Sequence, residues 1–198
     1  MSLRRQCWLF AVGSTFFAVA TVPGFPSWAG AGTADALCFV GSWFFSTAAL
    51  MQLLLTEWAD RPSPAERSSA AVQFAGTLLL NLSTGAAVWA HAVTAERRYV
   101  WAPDATGSLA FLLSGVLAMI AVGAAVGLFE PRSREWLTAA INLVGCVAFG
   151  VSAVAAFVRV TGITADERLA NLGTFLGALC FLVAALVASP RRLSRPPV

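Results

Sequence analysis

Two long apolar runs near the end of the chain constrain its fold more than any other feature. Residues 141–187 read INLVGCVAFGVSAVAAFV, a short polar turn, and then ANLGTFLGALCFLVAALV. About twenty apolar residues in a helix cross the hydrocarbon core of a bilayer. Each run is long enough to do so, whereas a water-soluble fold would have to bury both completely. The pair therefore predicts a hairpin of two membrane-spanning helices.

The composition of the whole chain is that of a membrane protein. Hydrophobic residues make up 58% of its 198 residues and charged residues 12%, whereas soluble proteins average about 45–50% and about 25%. All thirteen basic residues are arginines, which is consistent with a GC-rich bacterial genome. They lie mostly in pairs between the apolar runs, as membrane flanks do. The net charge of +3 therefore does not predict a nucleic-acid partner.

Four further apolar segments precede the closing pair. We predict an all-α fold, a polytopic membrane protein in which residues 1–198 form a single transmembrane domain. The predicted six-transmembrane-helix bundle has spans at about residues 6–22, 35–56, 70–90, 106–129, 136–158 and 169–189. The opening MSLRRQCWLF also fits the plan of a signal peptide. We favour a retained first helix, because five spans follow and Pro23, Gly24 and Pro26 make a turn at the right depth.

The distribution of arginines predicts the orientation, because cytoplasmic loops hold an excess of them. With the N-terminus inside, the inner side holds nine: Arg4, Arg5, Arg61, Arg67, Arg132, Arg134, Arg191, Arg192 and Arg195. The outer side then holds four: Arg97, Arg98, Arg159 and Arg168. We therefore predict a multi-pass protein of the bacterial cytoplasmic (plasma) membrane with both termini in the cytoplasm.

A glycine followed by Ser, Thr or Cys recurs in or at the start of every predicted span. These glycines are Gly13, Gly41, Gly76, Gly107, Gly145 and Gly173. In five of the six, the residue four positions later is large and apolar and lies on the same helix face. We predict that each glycine is a notch at which a neighbouring helix approaches closely. The first and last pairs are each 28 residues apart, which predicts a parallel repeat of helices 1–2 and 5–6 or, alternatively, convergent packing.

Five polar residues are predicted to lie inside the spans: Asn81, Ser83, Thr84, Asn142 and Asn171. Amides in a bilayer need partners, so we expect these side chains to bond across helices at the bundle centre. The alternative is that they line a path for a polar solute. No Asp, Glu or Arg is predicted near the middle of a span, which disfavours ion-coupled transport. We expect Asp35 and Asp104 to cap helices.

The sequence offers no set of residues suited to catalysis or to a cofactor. His91 is the single histidine and cannot supply both axial ligands of a membrane haem, so we interpret it as an interfacial polar residue. The four cysteines form no Cys-x-x-Cys pair and have no neighbouring histidine. We therefore expect no catalytic, metal-binding or cofactor-binding residue, and a protein that is not an enzyme.

Several segments together resemble a known family. They are WLFAVGSTFF, FVGSWFFSTAAL, VQFAGTLLLNLST, WAPDATGSLAFLLSG and the two closing runs. In these Gly-Ser and Asn-containing segments the chain resembles bacterial proteins that carry the YrhK-like domain, and the resemblance extends over nearly its whole length. The resemblance implies a small bacterial integral membrane protein. It implies no reaction, so no functional residue is carried over.

The many notches and the few ionisable groups predict a non-enzymatic protein of the lipid bilayer. In this interpretation it acts through helix packing, either as a homo-oligomer or with a membrane-protein partner. The alternative is a small uncoupled transporter or channel for a small polar solute, lined by the five polar residues. The two interpretations differ in whether the amides pair with one another or converge on an open cavity.

Overall fold

The computed structural model describes residues 2–90 and 92–190, most of which are helical. The helices, in chain order, are α1 Leu3–Thr21, α2 Phe25–Ala29, α3 Ala31–Glu57, α4 Pro64–Ala87, α5 Val93–Ala95, a π-helical segment Glu96–Trp101, α6 Ala102–Val126, α7 Arg134–Ala155 and α8 Glu167–Ala188. Across the described ranges, pairing of extended backbone is limited to one bridge between Val158 and Thr164. The predicted all-α class is therefore correct.

The six long helices form a closed ring. Going round it, α1 packs against α3, α3 against α4, α4 against α6, α6 against α7, α7 against α8 and α8 against α1. Successive long helices run in opposite directions, so α1, α4 and α7 begin at the end where α3, α6 and α8 finish. Leu3 and Pro190 line the same cavity, which places both described ends of the chain at one end of the ring.

Four helical stretches are long and apolar enough to cross a membrane. They are α3, the stretch Val93–Val126, α7 and α8. Helix α1 begins with Arg4, Arg5 and Gln6, and α4 carries many polar residues, so neither reaches the same apolarity. The described residues thus form a multi-pass, all-helical protein with four membrane-competent helices, and the expected count of six spans is not confirmed.

The outer and inner faces of the ring differ in the way a bilayer requires. Large aliphatic side chains point outward, and Leu109, Val144 and Val154 are 67%, 59% and 75% exposed. Alanine and serine make up most of the buried interior. Lipid is as apolar as leucine and drives no hydrophobic burial between helices, so close packing of small residues holds them together.

Local signals set several helix ends. The Ser63 hydroxyl accepts the backbone N–H of Glu66, while the Glu66 carboxylate accepts the backbone N–H of Ser63, a capping box that starts α4. Asp166 caps α8 in the same position. Helix α6 stops at Gly127, whose positive φ of 115° suits glycine. The caps at Ser63 and Asp166 explain why α4 and α8 begin before the spans predicted from residues 70 and 169.

Two expected caps are wrong. Asp35 lies inside α3, whose N-cap is Gly30. Asp104 lies inside a helical stretch that is continuous from Val93 through the π-helical segment into α6. The backbone amides around Asp104 already belong to that continuous helix, so the carboxylate does not occupy a free helix end.

The helices pair as three similar hairpins rather than two. A methyl group added at Gly13, Gly107 or Gly177 would lie 3.0–3.1 Å from the carbonyl oxygen of the facing glycine, which is Gly41, Gly76 or Gly145 respectively. The paired glycines are 28, 31 and 32 residues apart. All three hairpins begin at the same end of the ring and so have the same orientation, whereas the repeat predicted from the sequence included only the first and the last of them.

The notch of α8 that matches the other five is Gly177. Gly173 is also tightly packed, with the Ala148 carbonyl oxygen 2.9 Å from the position of an added methyl group. Only Gly177, however, faces Gly145 and has a phenylalanine four residues later, Phe181. Ala178 follows it and is fully buried, as are Ser14 and Ser42 after their glycines. A search for Gly followed by Ser, Thr or Cys misses this position.

Candidate functional site

Five of the six matching notches hold phenylalanine side chains from the opposite helix of the hairpin, and the sixth, Gly107, lies against the Gly76 carbonyl oxygen and Leu79. A methyl group added at Gly145 would lie 2.7 Å from the Phe181 ring, and one added at Gly177 would lie 2.5 Å from the Phe149 ring. In the first hairpin Gly13 faces Phe45 in the same way. All six matching glycines are therefore occupied inside the chain and are not available to a partner protein.

The residues four positions after the six glycines form an aromatic layer across the ring. We define this layer as Phe17, Phe45, Leu80, Phe111, Phe149 and Phe181, all of which are buried. Rings meet across the axis, with centroids 6.3 Å apart for Phe17 and Phe149, 5.9 Å for Phe45 and Phe181, and 6.2 Å for Phe111 and Phe181. The aromatic layer therefore closes the centre of the ring.

A cavity of about 890 Å³ lies on one side of the aromatic layer. Its walls come from the first turns of α1, α4 and α7 and the last turns of α3, α6 and α8, and Phe45 and Phe181 form part of its floor. It opens at the end of the ring that carries both described chain ends. Pockets that bind small molecules have volumes of about 300–1,000 Å³, so this one is large enough for a ligand.

Uncharged polar groups lie deep in the cavity. The Ser114 hydroxyl is within hydrogen-bonding distance of Gln73 Oε1 and of the Ser69 carbonyl oxygen, 2.9 Å from each. The Ser69 hydroxyl donates to the Ser114 carbonyl oxygen, also at 2.9 Å. Asn142 Nδ2 makes a weak contact of 3.7 Å with Cys146 Sγ. Gln73, Ser69 and Ser114 are each at most 5% exposed, so this polar group joins α4 to α6 beside the floor.

The charged groups of the cavity lie at its mouth and are engaged in helix ends. The Arg134 guanidinium donates to the carbonyl oxygens of Val187 and Ser189 at the end of α8. Glu66 belongs to the capping box of α4, and the Glu135 carboxylate accepts from the Ser133 hydroxyl at 2.7 Å. The deep part of the cavity is therefore free of formal charge.

The structure does not bring the five predicted polar residues together. Asn142 lines the cavity, whereas the other four do not. The Thr84 hydroxyl lies within hydrogen-bonding distance of the Ser42 hydroxyl and of the Leu80 carbonyl oxygen, beyond the aromatic layer. Asn81 Oδ1 is buried without a hydrogen bond among the described residues, and Asn171 lies in the first turns of α8, at the closed end.

Sequence reasoning missed Asp104 as a residue inside the bundle. It lies three residues before Gly107, hence about 4.5 Å along the helix axis from that notch. Asp104 and Asp35 both lie near the starts of their helices, α6 and α3, and neither lines the cavity, so both are beyond the aromatic layer. The helix was expected to begin after Asp104, whereas the helical stretch begins at Val93 and includes Asp104.

The described residues contain no group of three or more His, Cys, Asp or Glu side chains arranged for a metal ion. His91 lies outside the described residues, as do Arg191, Arg192 and Arg195. The four cysteines are free thiols within the helices. The side chains gathered at the cavity can therefore donate and accept hydrogen bonds and bury apolar surface.

Comparison of the chain with protein families, curated proteins and solved structures finds no match.

Proposed function

We propose that the chain is a small, non-enzymatic transporter or channel that carries a small polar solute along the axis of the helix ring. The observation that carries this proposal is the axial cavity, which is open at one end and closed at the other by the aromatic layer. Such a cavity gives a solute access to about half of the bilayer thickness. Movement of the aromatic rings would then open the remaining path.

In this proposal all six long helices cross the bacterial cytoplasmic membrane. Helix α1 has 19 residues and α4 has 24, and 19 residues span about 28 Å against a hydrocarbon core of about 30 Å. Several of the polar side chains of these helices, including Cys7, Ser69 and Gln73, face the cavity rather than lipid. The predicted cytoplasmic termini place the mouth of the cavity on the cytoplasmic side.

Transport without ion coupling follows from the uncharged cavity floor. Proton relays and ion-coupled pumps place ionisable groups along the path. Here the charged groups of the cavity are confined to its mouth, while Asp35 and Asp104 lie beyond the aromatic layer. Between its mouth and the aromatic layer, the cavity carries no titratable carboxylate.

The other interpretation, helix packing with a second copy or a partner protein, has lost its main support. It rested on the notches, and five of the six matching glycines are filled by phenylalanine side chains of the same chain, while Gly107 lies against the Gly76 carbonyl oxygen and Leu79. A partner would have to use the aliphatic outer faces. The resemblance to the YrhK-like domain stays a prediction from the sequence and favours neither role.

Solute flux into proteoliposomes tests the proposal. Vesicles with the protein should take up glycerol or urea faster than protein-free vesicles in stopped-flow light scattering. Phe45→Leu should raise the rate severalfold, because a smaller side chain loosens the layer and Leu80 shows that leucine fits there. Phe44→Leu is the matched control, because Phe44 stacks on Phe16 outside the layer. A transport role would be refuted if vesicles with the unsubstituted protein and vesicles with Phe45→Leu both took up glycerol and urea no faster than protein-free vesicles.

A further inference from the structure

The cavity has different chemistry on its different sides. The position three residues before the first glycine of each hairpin faces the cavity, and it holds Phe10, Gln73 and Asn142 in the three hairpins. Two equivalent positions therefore present carboxamides and the third presents an aromatic ring. A molecule that fills this space meets hydrogen-bonding groups on one side and an apolar surface on the other.

The two carboxamides keep free hydrogen-bonding capacity. Gln73 Oε1 lies 2.9 Å from the Ser114 hydroxyl, and Gln73 Nε2 has no acceptor among the described residues. Asn142 Nδ2 contacts the Cys146 sulfur, and Asn142 Oδ1 has no donor there. The floor thus offers one donor and one acceptor to an occupant, which matches a neutral group such as a primary amide or an alcohol.

An ion would be poorly stabilised in the same place. Removing a charge from water costs several kcal/mol unless an opposite charge compensates it. The charged groups at the mouth, Glu66, Arg134 and Glu135, already bond to groups at helix ends. A neutral polar group loses much less hydration and recovers its hydrogen bonds at the floor.

The occupant arrives from water rather than from the lipid. Each helix of the ring packs against both neighbours, so the helices separate the cavity from the lipid. Its mouth lies among the helix ends and loops at the end of the ring. Solutes therefore enter from the aqueous side.

We infer that the cavity binds a water-soluble, uncharged, amphipathic small molecule, with its polar group at Gln73 and Asn142 and its apolar part against Phe10. This inference rests on the proposed function, because it names the solute class of the same cavity.

Binding of three matched probes to the purified full-length protein in detergent tests this inference. Butyramide, butyrate and butylammonium share a short alkyl chain and differ in the charge of the polar group. Saturation-transfer NMR should show butyramide binding at least about tenfold more tightly than either ion, because an unpaired charge in the cavity costs several kcal/mol. Equal binding of an ion, or no binding of butyramide to the folded protein, would overturn the inference.

Substitutions locate the site. Gln73→Leu and Asn142→Leu should each weaken butyramide binding about three- to tenfold, the range for one neutral hydrogen bond. In Gln73→Leu the Ser114 hydroxyl can still donate to the Ser69 carbonyl oxygen. If the leucine variant does not fold, Gln73→Met replaces it in the same measurement. Asn171→Leu makes the same change outside the cavity and should bind normally. Unchanged binding by the folded Gln73 and Asn142 variants contradicts the site.

Three further outcomes separate the inference from the proposed function and from a lipid ligand. Butyramide binding without flux of any solute would contradict transport and leave the binding site standing. Flux of urea or glycerol with preferential binding of butyrate would contradict the neutral-solute class and leave transport standing. Displacement of butyramide by monoacylglycerol, but not by acetamide, would show that the site takes a lipid headgroup and would overturn the water-soluble class.

Discussion

Glycine decides how closely the helices of each hairpin approach. At six equivalent positions the missing side chain leaves room for the facing backbone or for a ring from the facing helix. Glycine costs about 0.5–1 kcal/mol relative to alanine inside a helix. The cost is offset because the ring or backbone that fills each notch gains close contacts that a bulkier residue would prevent.

Gly145→Ala should destabilise the protein, whereas Gly150→Ala should not. The added methyl at 145 would lie 2.7 Å from the Phe181 ring, while the one at 150 would have nothing within 4 Å. Forcing a methyl group into a packed site costs about 1–3 kcal/mol. We expect a lower midpoint of thermal unfolding for Gly145→Ala and an equal or higher one for Gly150→Ala in the same detergent. Equal midpoints for the two variants would argue against the tight notch.

At the same scale, the sequence predicted the notches better than the polar site. Five of the six matching glycines follow from Gly followed by a small polar residue, because that pattern reflects local packing. Gln73 could not be singled out, since its role depends on a cavity that only the closed ring creates. Asp104 was expected to cap a helix because the predicted span begins at residue 106, whereas the helical stretch already begins at Val93.

Among the elements, the connections at the closed end differ most between hairpins. The first hairpin uses the short helix α2, the second uses α5 and the π-helical segment, and the third uses a turn with one β-bridge. The Trp101 indole donates to the Ala153 carbonyl oxygen at 2.9 Å and packs edge-on against Phe157. This contact fastens the π-helical segment to the end of α7.

Trp101→Phe should loosen the closed end without unfolding the ring. The variant keeps an aromatic ring beside Phe157 and loses one hydrogen bond, worth about 0.5–1.5 kcal/mol. Amide hydrogen exchange should rise in residues 93–103 and at the end of α7, and stay unchanged at the Gly145–Gly177 contact.

Trp43→Phe is the matched control for this change. Trp43 is 57% exposed on the outer face of α3, and its ring packs against Phe39 of the same helix. Faster exchange in residues 93–103 in the control as well, or no change in Trp101→Phe, would show that the indole does not hold the segment.

On the scale of the whole molecule, the cavity and the aromatic layer make the two ends of the ring different. The sequence predicted which loops share an end, because alternating helices leave no other choice once the spans are placed. It predicted two hairpin copies, helices 1–2 and 5–6, because Gly173 gives the last pair the same spacing as the first, and it left out the pair Gly76 and Gly107, which are 31 residues apart. It could not predict the cavity, because the space depends on which turns of six helices face the axis together.

The last prediction concerns which end faces the cytoplasm. The loop at residues 58–63, at the open end, and the loop that contains α2, at the closed end, carry the exposed residues Asp60 and Trp28. If arginine-rich loops stay inside, Trp28→Cys should react with an impermeant maleimide in spheroplasts, and Asp60→Cys only after permeabilisation. Both cysteine variants are made in a protein whose four native cysteines have been replaced. Alanine suits position 146, because Cys146 follows the notch Gly145 as Ala178 follows the notch Gly177 in α8. If only Asp60→Cys is labelled in sealed spheroplasts, the predicted orientation is wrong and the cavity opens to the outside.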